Sequence, residues 1–249
     1  MRIYLTGPVR IELGERLVEG AGFPGRQGRL LFAYLVAERD QAQPRDRIAE
    51  LLWGDAPPRS WESALAAVVS NLRRLLGSVG LGRDALGQTG GCYRLLLPTD
   101  AWVDLEAAAD AVERAEGWLR AGDPAGAYNW AGVATAVGRR AFLPGEEGPW
   151  VERRRAELRD VLLRGLDCFA EVFVWNGEAP LAIRAAGEAI ALEPFRETGY
   201  QRLMRVHAAL GNRAEALRVY QRCRRLLADE LGVDPSPRTE AVYLEALRS

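Results

Sequence analysis

The length, composition and charge of this chain exclude several classes of protein. Its 249 residues are enough for two ordinary domains, and 48% hydrophobic with 27% charged residues is the composition of a globular protein rather than a disordered one. No apolar run approaches the roughly 20 residues that cross a bilayer, and the first residues lack the apolar stretch of a signal peptide. We therefore expect a cytoplasmic protein without membrane contact.

The charged residues are divided unevenly along the chain. All 33 basic residues are arginine, and the net charge is −1. Residues 1–98 contain 13 arginines and 10 acidic residues, whereas residues 99–249 contain 20 arginines and 24 acidic residues. The first part is slightly positive and the second slightly negative, which fits a DNA-binding front and a non-binding back.

Short strands and three helices are predicted at the start of the chain. The predicted strands are 2–13, which Gly7-Pro8 interrupts, and 17–18, and the predicted helices are 28–38, 47–53 and 61–76. Asp46 and Ser60 are the expected N-caps of the second and third helices, and Gly77 and Gly80 are the glycines expected to end the third. These helices carry apolar residues at helical spacing, so we expect them to share one core.

A hairpin is predicted after the third helix. Gly90-Gly91 forms its tip, and residues 92–97 alternate between apolar and polar side chains as a strand does. Strands, three helices and a hairpin in this order are typical of a winged helix-turn-helix. We predict this fold for residues 1–98.

Residues 99–249 are predicted to form an all-α domain, so the fold class is mainly α with a small β component. Gly177 and Gly211 lie 34 residues apart, and at the same offset Ala182 matches Ala216. Small residues at this period indicate helix pairs like those of tetratricopeptide repeats (TPR-like).

Several short segments together carry a resemblance that covers nearly the whole chain. They are Leu5-Thr6-Gly7-Pro8-Val9, Arg47-Ile48-Ala49-Glu50-Leu51-Leu52-Trp53-Gly54, Leu72-Arg73-Arg74-Leu75-Leu76-Gly77, Pro149-Trp150-Val151-Glu152 and Glu230-Leu231-Gly232-Val233-Asp234-Pro235. They resemble the antibiotic-regulatory-protein type (SARP, AfsR-like) of bacterial transcriptional activator. In that family an OmpR-like winged helix precedes a helical bacterial transcriptional activator domain. The resemblance implies an activator that binds double-stranded DNA as a homodimer on direct repeats and contacts RNA polymerase.

A winged helix reads DNA through the exposed side chains of its third helix. The candidate DNA-binding residues are Arg59, Ser63, Ser70, Asn71, Arg73 and Arg74, with Thr89 and Arg94 at the wing. In an alternative interpretation they form ordinary solvated or ion-paired faces. Exposed positions of this helix in the family are commonly Asn, Gln, Tyr or Arg, whereas this chain has Ser63, Ala66, Val68 and Asn71 there. We therefore expect DNA binding in which phosphate contacts supply much of the affinity and few side chains of this helix reach base edges.

No group of residues indicates an enzyme. A nucleophile, a base and an orienting group do not occur together, and the stretch 87–91 lacks the lysine of a phosphate-binding loop. Cys92, Cys168 and Cys223 are widely spaced, and His207 is the single histidine, so a zinc site would depend on carboxylates. We expect no metal and no cofactor.

The helical domain offers one further candidate site and two alternative functions. The run Arg153, Arg154 and Arg155 is either a partner or ligand site or a solvated helix face. One alternative is a ligand-sensing regulator that binds a small molecule or nucleotide in the helical domain. The aromatic residues that would line its pocket, or else pack in the core, are Trp118, Tyr128, Trp130, Trp150 and Trp175. The other alternative is an interaction scaffold that has lost DNA binding.

Overall fold

Strands and three helices come first in the chain and helices alone follow, in the order that the sequence predicts. The computed structural model describes residues 1–248, with Arg83 described by its backbone only. The strands are β1 (Arg2–Tyr4), β2 (Arg10–Leu13), β3 (Arg16–Glu19), β4 (Gln43–Pro44), β5 (Leu86–Thr89), β6 (Cys92–Leu95) and β7 (Trp102–Val103). The helices are α1 (Gly25–Ala37), α2 (Arg45–Trp53), α3 (Trp61–Val79), α4 (Asp104–Arg120), α5 (Pro124–Gly138), α6 (Pro149–Trp175), α7 (Ala179–Leu192), α8 (Glu197–Ala209), α9 (Arg213–Leu231) and α10 (Pro237–Arg248). The fold class is mainly α with a small β component, as predicted.

The chain divides into two compact units. The winged-helix unit contains residues 1–107 and 140–158, and the helical unit contains residues 108–139 and the chain from residue 159 onward. The unit boundaries fall inside α4 and α6 and just after α5. The functional boundary expected at residue 98 stays a prediction.

Two small sheets frame the winged-helix unit. The first has the strand order β3-β2-β1-β7, in which only β1 and β7 are parallel. Ile3 is the register partner of both Ile11 and Val103, and all three side chains are buried. The second sheet has the order β4-β6-β5 and contains the wing hairpin. The interrupted strand 2–13 is therefore two strands, and the short piece 102–103 completes the first sheet.

The three helices of this unit share one core. Residues Leu30 to Val36 of α1 are all buried, because α1 packs against α2, α3 and β6. Leu72 and Leu76 of α3 are fully buried on the opposing surface. The apolar residues whose spacing predicted these helices therefore also form the surfaces through which the helices pack against one another.

The predicted helix ends are correct in part. The second helix begins at Arg45 directly after Pro44, so Asp46 lies in its first turn and the prediction that it is the N-cap is wrong. Ser60 is the N-cap residue of α3, as predicted, but its side chain makes no capping hydrogen bond. The third helix continues past Gly77, since buried Val79 extends the apolar face, and it ends at the second predicted glycine, Gly80.

A buried carboxylate joins the first sheet to the start of α4. Asp104 is fully buried and accepts hydrogen bonds from the backbone amides of Leu5 and Thr6 at 2.9–3.0 Å. The Thr6 hydroxyl and the Leu105 amide donate to it as well, at 2.7 and 2.9 Å. Asp104 therefore satisfies backbone donors that lie beyond the end of β1.

Residues 140–158 belong to the winged-helix unit through backbone and ionic contacts. The Gly7 amide donates to the Ala141 carbonyl at 2.8 Å. Glu146 is buried and is contacted at 2.7 Å by both Arg26 and Arg29 of α1. A segment from the predicted helical part thus completes the core of this unit.

The helical unit contains the predicted repeat. Gly177 and Gly211 have nearly the same φ, +74° and +71°, and each precedes the first helix of a pair, α7–α8 and α9–α10. Ala182 and Ala216 are both fully buried, and Ala216 packs in the core of this unit. The TPR-like architecture is therefore confirmed. Among the described residues, no helix combines the length and hydropathy that crossing a bilayer requires.

The cysteines differ in burial. Cys168 and Cys223 are buried, and burial raises the pKa of the two thiols to about 12 and about 11, respectively. Cys92 lies on β6 and is half-buried. The two thiols of the helical unit are therefore protonated core side chains at neutral pH.

Candidate nucleic-acid interface

The third helix of the winged-helix unit has one buried and one exposed face. Leu65, Val69, Leu72 and Leu76 form the buried face. The predicted residues Ser63, Ser70, Asn71 and Arg74 all lie on the exposed face, together with Ala66 and Ala67. The core packing therefore orients most of the predicted polar side chains toward solvent, with two alanines at the centre of that face.

Arg73 and Arg74 are adjacent in sequence but have different surroundings. Arg73 is half-buried, and its Nε donates to the Leu86 carbonyl at 3.0 Å, which ties α3 to the start of β5. Arg74 is exposed, and its Nη1 donates to Asn71 Oδ1 at 3.2 Å. Arg74 is thus the solvent-exposed cation of this face, whereas Arg73 bonds the backbone at the start of β5.

The start of α3 carries charges of both signs. Arg59 is exposed in the turn before the helix. Glu62 lies in the first helical turn, and Arg45 of α2 pairs with it at 3.2 Å and lies over the Trp61 ring at 5.9 Å. Sequence reasoning missed Arg45, because it belongs to another helix and only the packing of α2 against the start of α3 brings it here.

The two predicted wing residues lie at different places on the hairpin. Thr89 is exposed beside the Gly90-Gly91 tip, where it is the register partner of Cys92. Arg94 is also exposed, but its Nε donates to the Arg39 carbonyl at 3.2 Å. Arg94 therefore contacts the loop after α1 and lies away from the tip of the hairpin.

The run Arg153, Arg154 and Arg155 does not form a single surface. Arg154 donates to Glu38 Oε1 at 2.7 Å and to the Ala37 carbonyl at 3.1 Å. Burial lowers the pKa of Arg154, but the hydrogen bonds and negative charges of Glu38 and Glu157 raise it by more, so the net shift is upward. Arg155 donates to three backbone carbonyls of the 142–146 loop. Arg154 and Arg155 therefore both hold the winged-helix unit together.

Arg153 is the exposed member of the run. It lies 3.9 Å from Glu38 and lines a cavity of about 380 Å³ with Arg26, Arg47 and Trp150. This cavity lies wholly within the winged-helix unit, although the sequence placed the run in the helical domain. The arginine run therefore contains two residues that stabilise the winged-helix unit, Arg154 and Arg155, and one surface residue, Arg153.

The aromatic residues proposed for a ligand pocket are dispersed. Trp150 belongs to the winged-helix unit, where it is buried against Tyr34 and Phe142 and donates to Glu38 at 2.7 Å. Trp118, Tyr128 and Trp175 of the helical unit are exposed, and Trp130 is half-buried. The spacing of these residues on their helices therefore did not predict whether their rings surround a common cavity.

The remaining candidate groups add no catalytic arrangement. His207 is half-buried, and burial lowers its pKa. Within residues 1–248, no three side chains of the metal-binding types come together in a geometry that would hold an ion. The exposed face of α3 with its flanking arginines is the candidate interface that the geometry supports best.

Comparison with known proteins agrees with this architecture. A family model described as "Bacterial transcriptional activator domain" matches residues 103–247. The regulatory protein AfsR of Streptomyces coelicolor is 30% identical over 250 residues, which cover 100% of this chain and 24% of AfsR. The transcriptional regulatory protein MoaR1 of Mycobacterium tuberculosis is 29% identical over 260 residues, covering 100% of this chain and 79% of MoaR1.

A solved structure shares the whole fold. Mycobacterium tuberculosis EmbR, in complex with a low affinity phosphopeptide, matches with a TM-score of 0.87 and 26% identity, covering 99% of this chain and 65% of EmbR. The chain spans about a quarter of the length of the AfsR proteins that it matches. The match of the family model and the likeness to AfsR, MoaR1 and EmbR confirm the resemblance: the chain belongs to the antibiotic-regulatory-protein family, whose members carry a bacterial transcriptional activator domain.

Proposed function

We propose that this chain is a DNA-binding transcription regulator that acts as an activator. In this proposal residues 1–98 bind double-stranded DNA, with α3 in the major groove and the wing beside it. Residues 99–249 then serve self-association, contact with RNA polymerase or input of a signal. The support for the DNA-binding part is the exposed face of α3, and the support for the rest is membership of the family.

The exposed face of α3 has the properties that a recognition helix needs. Ser63, Ser70, Asn71 and Arg74 project from a helix whose opposite face is fixed by buried leucines and valines. Asn and Arg are the residue types that pair with adenine and guanine edges, and small residues let the helix lie deep in the groove. This single face carries the proposal.

Arg59 and Arg74 supply charge at the two ends of that face. The positive end of the α3 dipole adds to Arg59, so a phosphate is favoured near the start of the helix. Glu62 lies beside it and opposes an anion, although its pairing with Arg45 offsets part of that charge. We therefore expect moderate affinity that depends strongly on salt.

The first test is DNA binding as a function of salt concentration. Fluorescence anisotropy with genomic fragments is expected to give affinity that falls as salt rises, and Arg74→Ala is expected to reduce the slope of log K against log salt by about 0.9. Arg218→Ala is the matched control, because Arg218 is an equally exposed helical arginine on α9. Absence of binding at low salt would favour the scaffold alternative, which the two alanines on the recognition face support.

The second test separates sequence reading from phosphate attraction. Asn71→Ala is expected to reduce discrimination between a selected site and random DNA by roughly tenfold, since one base contact contributes about 1–3 kcal/mol. Glu62→Gln is expected to strengthen binding to both DNAs alike, because it removes a like charge near phosphate. Equal loss on both DNAs in Asn71→Ala would show that Asn71 does not read bases.

A further inference from the structure

Five arginines of the helical unit line one cavity. They are Arg164, Arg196, Arg202, Arg205 and Arg238, which we name the arginine groove. The cavity has a volume of about 320 Å³ and adjoins a second one of about 350 Å³ that shares Glu116, Arg164, Asp167 and Arg202 with it. These volumes are in the range of small-molecule sites.

Three of the five arginines are already neutralised. Arg164 makes a two-point contact with Glu116, at 2.7 and 2.8 Å. Arg196 pairs with Asp160 at 2.9 Å, and Arg202 pairs with Glu171 at 2.6 Å. These pairs fix the guanidinium groups in place, so the walls of the arginine groove are formed before any ligand arrives.

The other two arginines lack such a partner. Among the described residues, no carboxylate lies within ion-pair distance of Arg205 or Arg238, and both line the groove. Burial, together with the nearby charges of Arg202 and Arg238, lowers the pKa of Arg205, although the charges of Glu245 and Glu171 oppose the shift. Two positive charges therefore face the same cavity, and an anion there would relieve their mutual repulsion.

A buried acceptor lies in the same cavity. Asp167 Oδ1 is inaccessible to solvent and has no hydrogen-bond partner among the residues that the structure describes. Burial raises the pKa of this carboxyl, although Arg202 and Arg196 oppose the shift. A buried polar atom without a partner is costly. Because a hydroxyl group is about as large as a water molecule, it reaches Oδ1 only when the carboxyl group turns toward the cavity, and a hydrogen bond donated to Asp167 then supplies the partner that this group lacks in the free protein.

We propose that the arginine groove binds a small phosphorylated hydroxy compound, of the sugar phosphate or nucleotide class. Its phosphate would contact Arg205 and Arg238, and a hydroxyl would donate to Asp167. Guanidinium pairs suit phosphate because their planar donors match two of its oxygens. A simple anion would satisfy the arginines but leave Asp167 without a partner. This inference is independent of DNA binding by α3.

The test is isothermal titration calorimetry on the full chain with three probes: ribose 5-phosphate, inorganic phosphate and ribose. Ribose 5-phosphate is expected to bind most tightly, inorganic phosphate at least tenfold more weakly, and ribose not detectably. The double variant R205Q/R238Q is expected to lose at least tenfold in affinity for ribose 5-phosphate. The variant Asp167→Ala is expected to weaken ribose 5-phosphate but not inorganic phosphate.

A second double variant controls for the loss of charge. R218Q/R225Q removes two exposed arginines of α9 that do not line the groove, and its affinity is expected to equal that of the unaltered chain. Equal losses in the two double variants, equal affinity for phosphate and ribose 5-phosphate, or no binding of any probe would each overturn the proposal. Should Asp167→Ala fail to fold, Asp167→Leu provides the same comparison, because it removes both acceptor oxygens and keeps a branched side chain in the same place.

Discussion

Asp104 in the winged-helix unit and Ala216 in the helical unit illustrate two ways of stabilising a fold. Asp104 bonds the backbone of Leu5, which lies 99 residues earlier in the chain. Ala216 packs in a core made by helices that follow one another directly, α6 to α10. The first unit adds a few buried polar contacts between distant segments to its apolar core, whereas the second repeats one local apolar contact.

The difference has a consequence for stability and folding. Distant contacts require closure of long loops before they contribute, whereas neighbouring helix pairs form with short loops. Repeats add their stability approximately as a sum of units and interfaces. We therefore expect single changes to disrupt the winged-helix unit as a whole and to weaken the helical unit in steps.

The largest expected effect is at Asp104. Asp104→Ala leaves the buried amides of Leu5 and Thr6 without an acceptor, which we expect to cost about 3–5 kcal/mol of unfolding free energy. Urea denaturation followed by circular dichroism measures it. Asp110→Ala, at an exposed position of the same helix, is the control and is expected to change stability by less than about 0.5 kcal/mol. A small loss at Asp104 would contradict the picture of a unit held by buried polar contacts.

The next effect tests the repeat. Ala216→Leu and Ala182→Leu overfill equivalent close contacts, and each is expected to cost about 1–3 kcal/mol. Similar losses are expected because both side chains are fully buried at the same place in their helix pairs. Ala214→Leu, at an exposed position of α9, should be nearly neutral. Very different losses at 182 and 216 would break the equivalence of the two pairs.

A smaller effect is expected at Glu146. Glu146→Ala removes the buried partner of Arg26 and Arg29, but both arginines keep access to water, so we expect a cost of about 1–2 kcal/mol. Glu147→Ala, at the exposed neighbouring position, is expected to have almost no effect in the same urea titration. Equal values for the two variants would show that the 140–158 segment is not held by this carboxylate.

The smallest effect concerns pH and Asp167 in the helical unit. Because burial raises the pKa of this carboxyl in the folded state, its charged form costs stability once the pH exceeds the unfolded pKa. Asp167→Asn is therefore expected to raise stability by up to about 1 kcal/mol near pH 7.5 and to give almost no gain near about pH 2.5, where the carboxyl is protonated in both states. Melting temperatures at the two pH values measure this difference. A gain that is the same at both would exclude the ionisation of Asp167 as its cause.

Part of the candidate interface was predictable, and the reason is periodicity. The apolar spacing of Leu65, Val69 and Leu72 fixes the buried face of α3 and so places Ser70 and Asn71 on the other face. Periodicity does not tell whether a polar side chain has a partner. Arg73 is half-buried and bonds the Leu86 carbonyl, whereas Arg74 is exposed, and no pattern within the helix reveals this difference.

The sequence by itself determined the order of helices and strands, the repeat at 34 residues and the family, because these depend on local spacing and on motifs. Only the tertiary structure decided that Asp104 is a buried acceptor, that Arg154 and Arg155 hold the winged-helix unit, and that five arginines share one groove. Such contacts join residues far apart in the chain, and the desolvation and partner geometry that give them their energy exist only in the folded state.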